Sequence, residues 1–317
     1  MSTNTKKPLV ILTGPTAVGK TALSIELAKR IQGEMISADS IQVYKGMDIG
    51  SAKITKEEMC GIPHYLIDVL DPKEDFNVVR FKQMAMQALD EIYQKNKIPI
   101  VVGGTGFYIQ ALLYDIDFEN TEISDYRKEL ELYEKEHGAY ALHERLKEID
   151  PVSYEKIHAN NVKRVIRALE FYHDTGYPIS RHNETQKQKE SPYRFVYFVL
   201  NDDRQKLYHR IDSRIDQMLD QGLLKEVKSL LDDGCTGDMV SMQGLGYKEF
   251  VPYFEGKCSL EDAVTILKRD TRHFAKRQLT WFRREKSVCW LNREDYKTET
   301  DLLNAMLSEI KQKHITE

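Results

Sequence analysis

The chain has 317 residues, about two domains' length, with 41% apolar and 30% charged residues and a mean hydropathy of −0.52; this excludes disordered and fibrous classes. Its longest apolar runs, Leu9 to Leu12 and Phe195 to Leu200, fall far short of the about 20 residues that cross a bilayer, and the run after Lys6-Lys7 carries no export signal. A formal charge of −4, from 46 Lys/Arg against 50 Asp/Glu, argues as a total against a nucleic-acid partner.

A cytoplasmic protein without a membrane partner is therefore expected. Cys60, Cys235, Cys258 and Cys289 form no CxxC pair, so neither a zinc site nor a redox motif is expected. The distribution of charge departs from its total. Between Lys268 and Lys286 stand eight Lys/Arg and two Asp/Glu.

In chain order, Lys7 to Thr13 reads as a strand, Lys20 to Ile31 as a helix and Glu34 to Ser37 as a second strand. Phe81, Met84, Ala85, Ala88, Leu89 and Ile92 recur at helical spacing with one buried face. Ile98 to Val102 is another apolar strand. Strand, helix and strand in this order predict a parallel α/β sheet. From about Asn120 to Ser191 apolar strands give way to helical patterning, interrupted at Asp150-Pro151 and at Gly176-Tyr177-Pro178. The strand-like run at Phe195 returns the chain to the sheet, followed by helices over Tyr208 to Gln221 and Leu267 to Arg284. The expected architecture is α/β, with a parallel-sheet core over 1–119 and 192–317, an inserted helical domain over 120–191 and a helical C-terminal part.

Gly14-Pro15-Thr16-Ala17-Val18-Gly19-Lys20-Thr21 fits GxxxxGK[ST] between a strand and a helix. Such a nucleotide-binding type of P-loop grips a di- or triphosphate through backbone N–H groups, the helix N-terminus and Lys20, while the Thr21 hydroxyl can ligate Mg²⁺. Which phosphate it holds is left open. Asp39 lies just past the second strand, where ligands of open α/β sheets bind; a base, a metal ligand and a plain turn residue are all consistent with that position. Gly103-Gly104-Thr105-Gly106 follows the strand at Ile98. Its glycines point to close backbone approach, by a ligand or within a tight turn, and Thr105 is the side-chain hydrogen-bonding group there. The strand at Ile98 ends in glycine rather than in the Asp of an ordinary ATPase. Asp68 or Asp71 are alternatives for that carboxylate, although Asp71-Pro72 reads more simply as a turn.

Two helices carry basic faces. On the C-terminal one, Arg269, Arg272, Lys276 and Arg283 gather on one side; in the inserted domain, Lys163, Arg164 and Arg167 oppose an apolar stripe of Val162, Val165, Ile166 and Leu169. Unmixed basic faces in a net acidic protein read as a phosphate-backbone footprint, a solvated surface being the alternative. Arg210 and Arg214, one turn apart, suit either RNA or a bound pyrophosphate.

The phosphate loop, Ser37-Ala-Asp-Ser-Ile-Gln-Val-Tyr-Lys-Gly-Met-Asp48, Ile49-Gly-Ser-Ala-Lys53, Gly103-Gly-Thr-Gly-Phe-Tyr108, Gly244-Leu-Gly-Tyr-Lys248 and Lys276-Arg-Gln-Leu-Thr-Trp-Phe-Arg283 together closely resemble the bacterial tRNA dimethylallyltransferases, the tRNA isopentenyltransferase family. The likeness runs over nearly the whole chain; the missing CxxC fits the bacterial type, since eukaryotic relatives carry a C-terminal zinc finger. It implies a P-loop NTPase-like core and transfer of a dimethylallyl group from dimethylallyl diphosphate to N6 of adenosine 37 in the tRNA anticodon stem-loop, with release of diphosphate. Asp39 would be the general base and Thr105 the group hydrogen-bonding at the reacting centre. Gly14 to Thr21 with Arg214 would hold the diphosphate, and Thr21 the Mg²⁺. The RNA contacts would fall on Asp39, Ser40, Ile41, Gln42, Thr105, Arg127, Lys163, Arg164, Val165, Ile166 and Arg167, joined by Arg269, Arg272 and Lys276 from the basic helix. A monomer is expected. A P-loop kinase acting with ATP on a small molecule or a nucleic-acid end, and a non-enzymatic RNA-binding protein, are the rival readings.

Overall fold

The computed structural model describes residues 6–118 and 125–316. In chain order its elements are β1 (Lys7–Thr13), α1 (Lys20–Ile31), β2 (Gly33–Ser37), β3 (His64–Tyr65), α2 (Val78–Gln94), β4 (Ile98–Gly103), α3 (Gly106–Leu113), α4 (Asp125–Glu144), α5 (Leu146–Ile149), α6 (Pro151–Lys156), α7 (Val162–Thr175), α8 (Ile179–Lys187), β5 (Tyr193–Asn201), α9 (Arg204–Asp220), α10 (Leu223–Asp232), α11 (Val251–Phe254), α12 (Leu260–Phe282), β6 (Val288–Asn292) and α13 (Glu299–Gln312). The chain divides into two compact units, Met1–Leu113 with Pro192–Glu317, and Tyr114–Ser191. Among the described residues no helix is long and apolar enough to cross a membrane.

The first unit is a P-loop NTPase-like α/β core. Its sheet runs β3-β2-β4-β1-β5-β6 with every pairing parallel. Leu9, Val10, Ile11 and Leu12 of β1 are wholly buried, as a central strand covered on both faces requires. Register brings Thr13 opposite Gly103 and Val199, and Ser37 opposite Val102. The loops leaving β1, β2 and β4 therefore emerge at one carboxyl edge, where parallel α/β sheets bind ligands. Helix α2 begins on Asn77, whose side chain accepts from Val79 N and Arg80 N, and it buries Phe81, Ala85, Ala88, Leu89 and Ile92 as its spacing predicts. Helix α12 starts seven residues earlier than expected, because Ser259 and Asp262 form a reciprocal capping box. The edge strands β3 and β6 and helix α13 are additions to the sequence reading; two residues of strand at His64 are too short to show a period.

The second unit is helical. Leu130, Leu142, Leu146, Val165, Ile166, Ala168 and Leu169 form its core, with α4 broken at Gly138 (φ 85°). The expected breaks are turns of a particular kind: Asp150 caps α6, with Pro151 in the first helical turn, and Gly176 ends α7 in the left-handed region at φ 76°. The unit begins at Tyr114 rather than at 120. Its first segment is tied to its last, since Gln186 accepts from Asp117 N and Lys189 Nζ donates to Asp115 O and Asp117 Oδ2. Those bonds link side chains far apart in sequence, so patterning gives no sign of them.

Candidate active site

The phosphate loop, Gly14 to Thr21, joins β1 to α1. Gly19 enters the helix at φ 93°, a conformation open to glycine, and Lys20 Nζ reaches back over the loop to Gly14 O (3.0 Å) and Pro15 O (2.8 Å). Two other carbonyls of the loop are held by arginines: Arg210 Nε donates to Ala17 O and Arg293 to Val18 O. Both guanidiniums are anchored on buried Asp202. Arg210 thus supports the loop from its own chain, which removes it from the choice between RNA and pyrophosphate. Lys20 is displaced down to about 7 by burial and by the neighbouring Arg214 cation, partly offset by Asp39. Arg214 is also lowered, by burial and then by Arg210. Cations crowded in this way would be relieved by a neighbouring anion. Thr21 stands exposed on the first turn of α1.

Asp39 forms a turn and also lines a cavity. Oδ1 accepts from Ile41 N (2.8 Å) and Gln42 N (3.2 Å), a turn that fixes the side chain. Oδ2 has no hydrogen bond among the described residues and belongs to a carboxylate lining a cavity of about 300 Å³. Gln42 secures the same loop by donating to Ser51 O and Ala52 O. Thr105 lines that cavity, its N–H bonded to Ala38 O. The close approach expected at the surrounding glycines comes from the protein itself. A Cβ on Gly103 would meet Ala38 O at 2.3 Å, one on Gly104 the Gln278 amide at 2.1 Å, and one on Gly106 the Trp281 ring at 2.2 Å. These glycines press the β4 turn against β2 and α12, so the tight-turn alternative holds.

Arg214, Thr16 and Ser40 reach the same cavity, and so do the apolar Ile41, Ile211, Ile215, Met218, Leu267 and Phe274. It is therefore amphiphilic, offering polar and cationic groups together with an aliphatic wall from α9 and α12. Asp68 accepts from Lys53 of the preceding loop, and Asp71 Oδ1 accepts from Lys73 N within its own turn. No group of three or more His, Cys, Asp or Glu that could hold a metal occurs among the described residues. A cation here would rest on Thr21 and the phosphate oxygens of a ligand, which matches the habit of Mg²⁺ of taking few protein ligands.

The basic helices divide. On α12, Arg272 pairs with Asp212 of α9, Lys268 with Asp216, and Arg269 with its neighbour Asp270. Lys276, Arg277, Arg283, Arg284 and Lys286 have no ion pair among the described residues. His273, Lys276, Arg277, Thr280, Trp281 and Arg284 line an open groove of about 460 Å³. The cations without an ion pair thus lie toward the end of the helix, beyond Arg269 and Arg272. Arg277, Arg284 and Trp281 were missed, although the steps 277, 280, 281 and 284 place them along one face. In the helical unit, Lys163 and Arg164 are exposed, whereas Val165 and Ile166 are core residues whose side chains cannot meet a partner. Arg127 makes two bonds, of 3.0 and 2.6 Å, to the buried Glu170, which Arg167 also approaches at 3.5 Å. Both arginines are thus ion-paired within that unit, with part of each side chain still exposed.

Comparison with known proteins agrees with the site. The family model for IPP transferase matches residues 42–285. The tRNA dimethylallyltransferase of Lachnoclostridium phytofermentans is 61% identical over 310 residues, covering 98% of this chain and 99% of that protein. That of Acetivibrio thermocellus is 52% identical over 297 residues, covering 93% and 95%. Among solved structures, the full-length tRNA isopentenylpyrophosphate transferase of Bacillus halodurans superposes with a TM-score of 0.74 at 44% identity, covering 97% of this chain and 98% of that one. A eukaryotic dimethylallyltransferase, described as acting on tRNA, gives a TM-score of 0.82 at 30% identity, covering 96% and 79%. A phosphate loop facing a free carboxylate oxygen across an amphiphilic cavity, in a chain matched along nearly its whole length, places this protein in the IPP transferase family.

Proposed function

We propose that this enzyme transfers a dimethylallyl group from dimethylallyl diphosphate to N6 of adenosine 37, beside the anticodon of tRNA, and releases diphosphate. The observation that carries the reading is the cavity itself: Asp39 and Thr105 share it with Arg214 and the phosphate-loop residues Thr16 and Ala17, and one side of it is an apolar wall of Ile211, Ile215, Met218, Leu267 and Phe274. A five-carbon chain with a diphosphate head has those two characters. The lone pair of an adenine N6 is delocalised into the ring, so the amine attacks only as its proton leaves. As the new C–N bond forms, the C–O bond to diphosphate breaks and Asp39 takes the proton. Lys20 and Arg214 offset the charge gathering on the departing oxygens. Mg²⁺ carried by Thr21 and the diphosphate would add Lewis-acid stabilisation of the same charge. To reach the cavity the base leaves its stack, a step with an unstacking cost. Ser40 and Ile41 line the cavity beside Asp39, and Lys163, Arg164, Lys276, Arg277 and Arg284 are the phosphate contacts we assign to the tRNA.

The kinase reading fits less well. ATP would set a ribose and an adenine, which call for polar partners, partly against Ile211, Ile215, Met218, Leu267 and Phe274, whereas a five-carbon chain suits that side of the cavity. Radiolabelled dimethylallyl diphosphate or ATP, each incubated with total tRNA and followed by nucleoside analysis, tests the proposal. Label from the prenyl donor on an adenosine supports it, and label from ATP alone overturns it.

A further inference from the structure

Gln278 is a polar side chain with 6% exposure on the otherwise apolar inner face of α12. Its Oε1 accepts from Thr16 N in the phosphate loop (2.9 Å), and its Nε2 donates to Gly104 O in the turn before Thr105 (3.0 Å). A carboxamide has one acceptor end and one donor end, and each here meets the backbone group it needs. The fit is close, since even a Cβ on Gly104 would collide with the amide nitrogen. One side chain therefore spans the two loops that carry the halves of the chemistry, the diphosphate grip and the threonine at the reacting centre. It projects from the same helix that exposes Lys276 and Arg277.

We infer that Gln278 is a positioning residue for group transfer: by bridging Thr16 N and Gly104 O it sets the spacing between the bound diphosphate and Thr105. This rests on the transferase reading above. Thr13 Oγ1 donates to Gly103 O at the strand ends behind the two loops; Gln278 is the side chain that joins Thr16 to Gly104 beyond them. Loss of the bridge leaves two backbone groups to drift, and a displacement of about 1 Å at a reacting centre costs on the order of a hundredfold in rate.

Two substitutions separate this role from packing. Gln278→Met keeps the volume and removes both bonds. Gln278→Glu, when ionised, still accepts from Thr16 N but sets a carboxylate oxygen against Gly104 O; when protonated it has a donor and an acceptor, as glutamine does. The charged groups around it are Asp39, Arg214, Lys248 and Arg277 on the cavity, with Lys20 beside them. All are shared with the parent enzyme, so the ratio of variant to parent kcat at each pH isolates position 278. We expect Gln278→Met to lose roughly tenfold to a hundredfold in kcat at every pH, with the Kd for tRNA within about twofold. Gln278→Glu should lose as much at pH 8, and its ratio should climb by about fivefold or more as the pH falls toward 5.5 and the carboxyl takes up its proton. Parent-like kcat in both variants, or a Gln278→Glu ratio flat with pH, overturns the role. Should Gln278→Met fail to fold, the pH series on Gln278→Glu decides alone. A parent enzyme that prenylates no adenosine overturns the functional reading, and this inference with it.

Discussion

The sheet edge and the basic helices carry the same kinds of residue, charged side chains beside backbone turns, yet they became legible in different ways. At the edge, function is written into local backbone. Gly19 must adopt φ 93°, Lys20 follows it directly, and Asp39 closes a turn on its own neighbours Ile41 and Gln42. On α12 and α7 the role of each cation is decided by acids far away in sequence. Arg272 meets Asp212, sixty residues distant, and Arg127 meets Glu170, forty-three distant. A motif therefore identifies a phosphate grip, whereas counting arginines along a helix cannot separate a fold-supporting ion pair from a free charge.

The largest expected effect lies at the edge. Asp39→Asn keeps the turn, because the amide oxygen still accepts from Ile41 N, but it abolishes the base. Single-turnover prenylation should fall by about a hundredfold or more while donor and tRNA affinities hold. An unchanged single-turnover rate would remove Asp39 from the chemistry. Next comes Lys20, held near 7 by burial and the nearby Arg214. Below that pH the free enzyme carries the charge; above it the lysine is neutral, and an arriving diphosphate must raise its pKa again and take up a proton. Donor affinity should thus fall by up to about tenfold per pH unit above 7, until the lysine of the complex itself titrates. Stability of the free enzyme moves the opposite way with pH. The cost of burying a charged Lys20 is present below 7 and is relieved as pH rises from there toward the ordinary lysine range. Calorimetric proton uptake measured above pH 7 checks the linkage, and Lys20→Met should abolish the uptake along with most of the affinity.

Much of the fold was legible because its signals are short-range. The boundaries of β1 and α1 follow from an apolar run, a glycine loop and a helical period contained within Lys7 to Ile31. The face of α2 follows from the recurrence of Phe81, Ala85, Ala88 and Ile92. What escaped depends on partners supplied by the tertiary structure. Strand β6 reads weakly on its own, and it becomes a strand by pairing Val288–Asn292 with β5. Gln278 stands in the sequence only as one position of the Lys276–Arg283 stretch; the approach of Thr16 and Gly104 gives its amide a task. The division of the C-terminal cations likewise waited on Asp212 and Asp216 of α9, whose sequence spacing reveals nothing about α12.

The comparison sharpens within the helical unit. Arg127→Ala removes both bonds to Glu170, a carboxylate that is 1% exposed and that Arg167 approaches only at 3.5 Å. Unfolding of the variant should show a loss of about 1.5–3 kcal/mol, the range for hydrogen bonds to a charged group. Lys163→Ala with Arg164→Ala should leave stability unchanged within about 0.5 kcal/mol, as for exposed surface positions. Equal losses in both variants would erase the distinction between supporting and free cations.

The smallest effect per residue tests the same distinction on α12. Each phosphate contact releases counterions, so removing a real one flattens the plot of log K for tRNA against log salt by roughly 0.7 to 0.9. Between 50 and 200 mM salt that is only about a threefold change in how much affinity is lost, and titration over a wide salt range is needed to resolve it. Lys276→Ala, Arg277→Ala and Arg284→Ala should each flatten the slope, for cognate and non-cognate tRNA alike, because phosphate contacts position an RNA without reading its bases. Arg269→Ala and Arg272→Ala should leave it unchanged, their charges being spent on Asp270 and Asp212. The opposite assignment, with Arg269 and Arg272 flattening the slope and the groove residues silent, would mean that tRNA displaces those ion pairs. The footprint would then lie nearer the start of the helix, as the sequence alone had it.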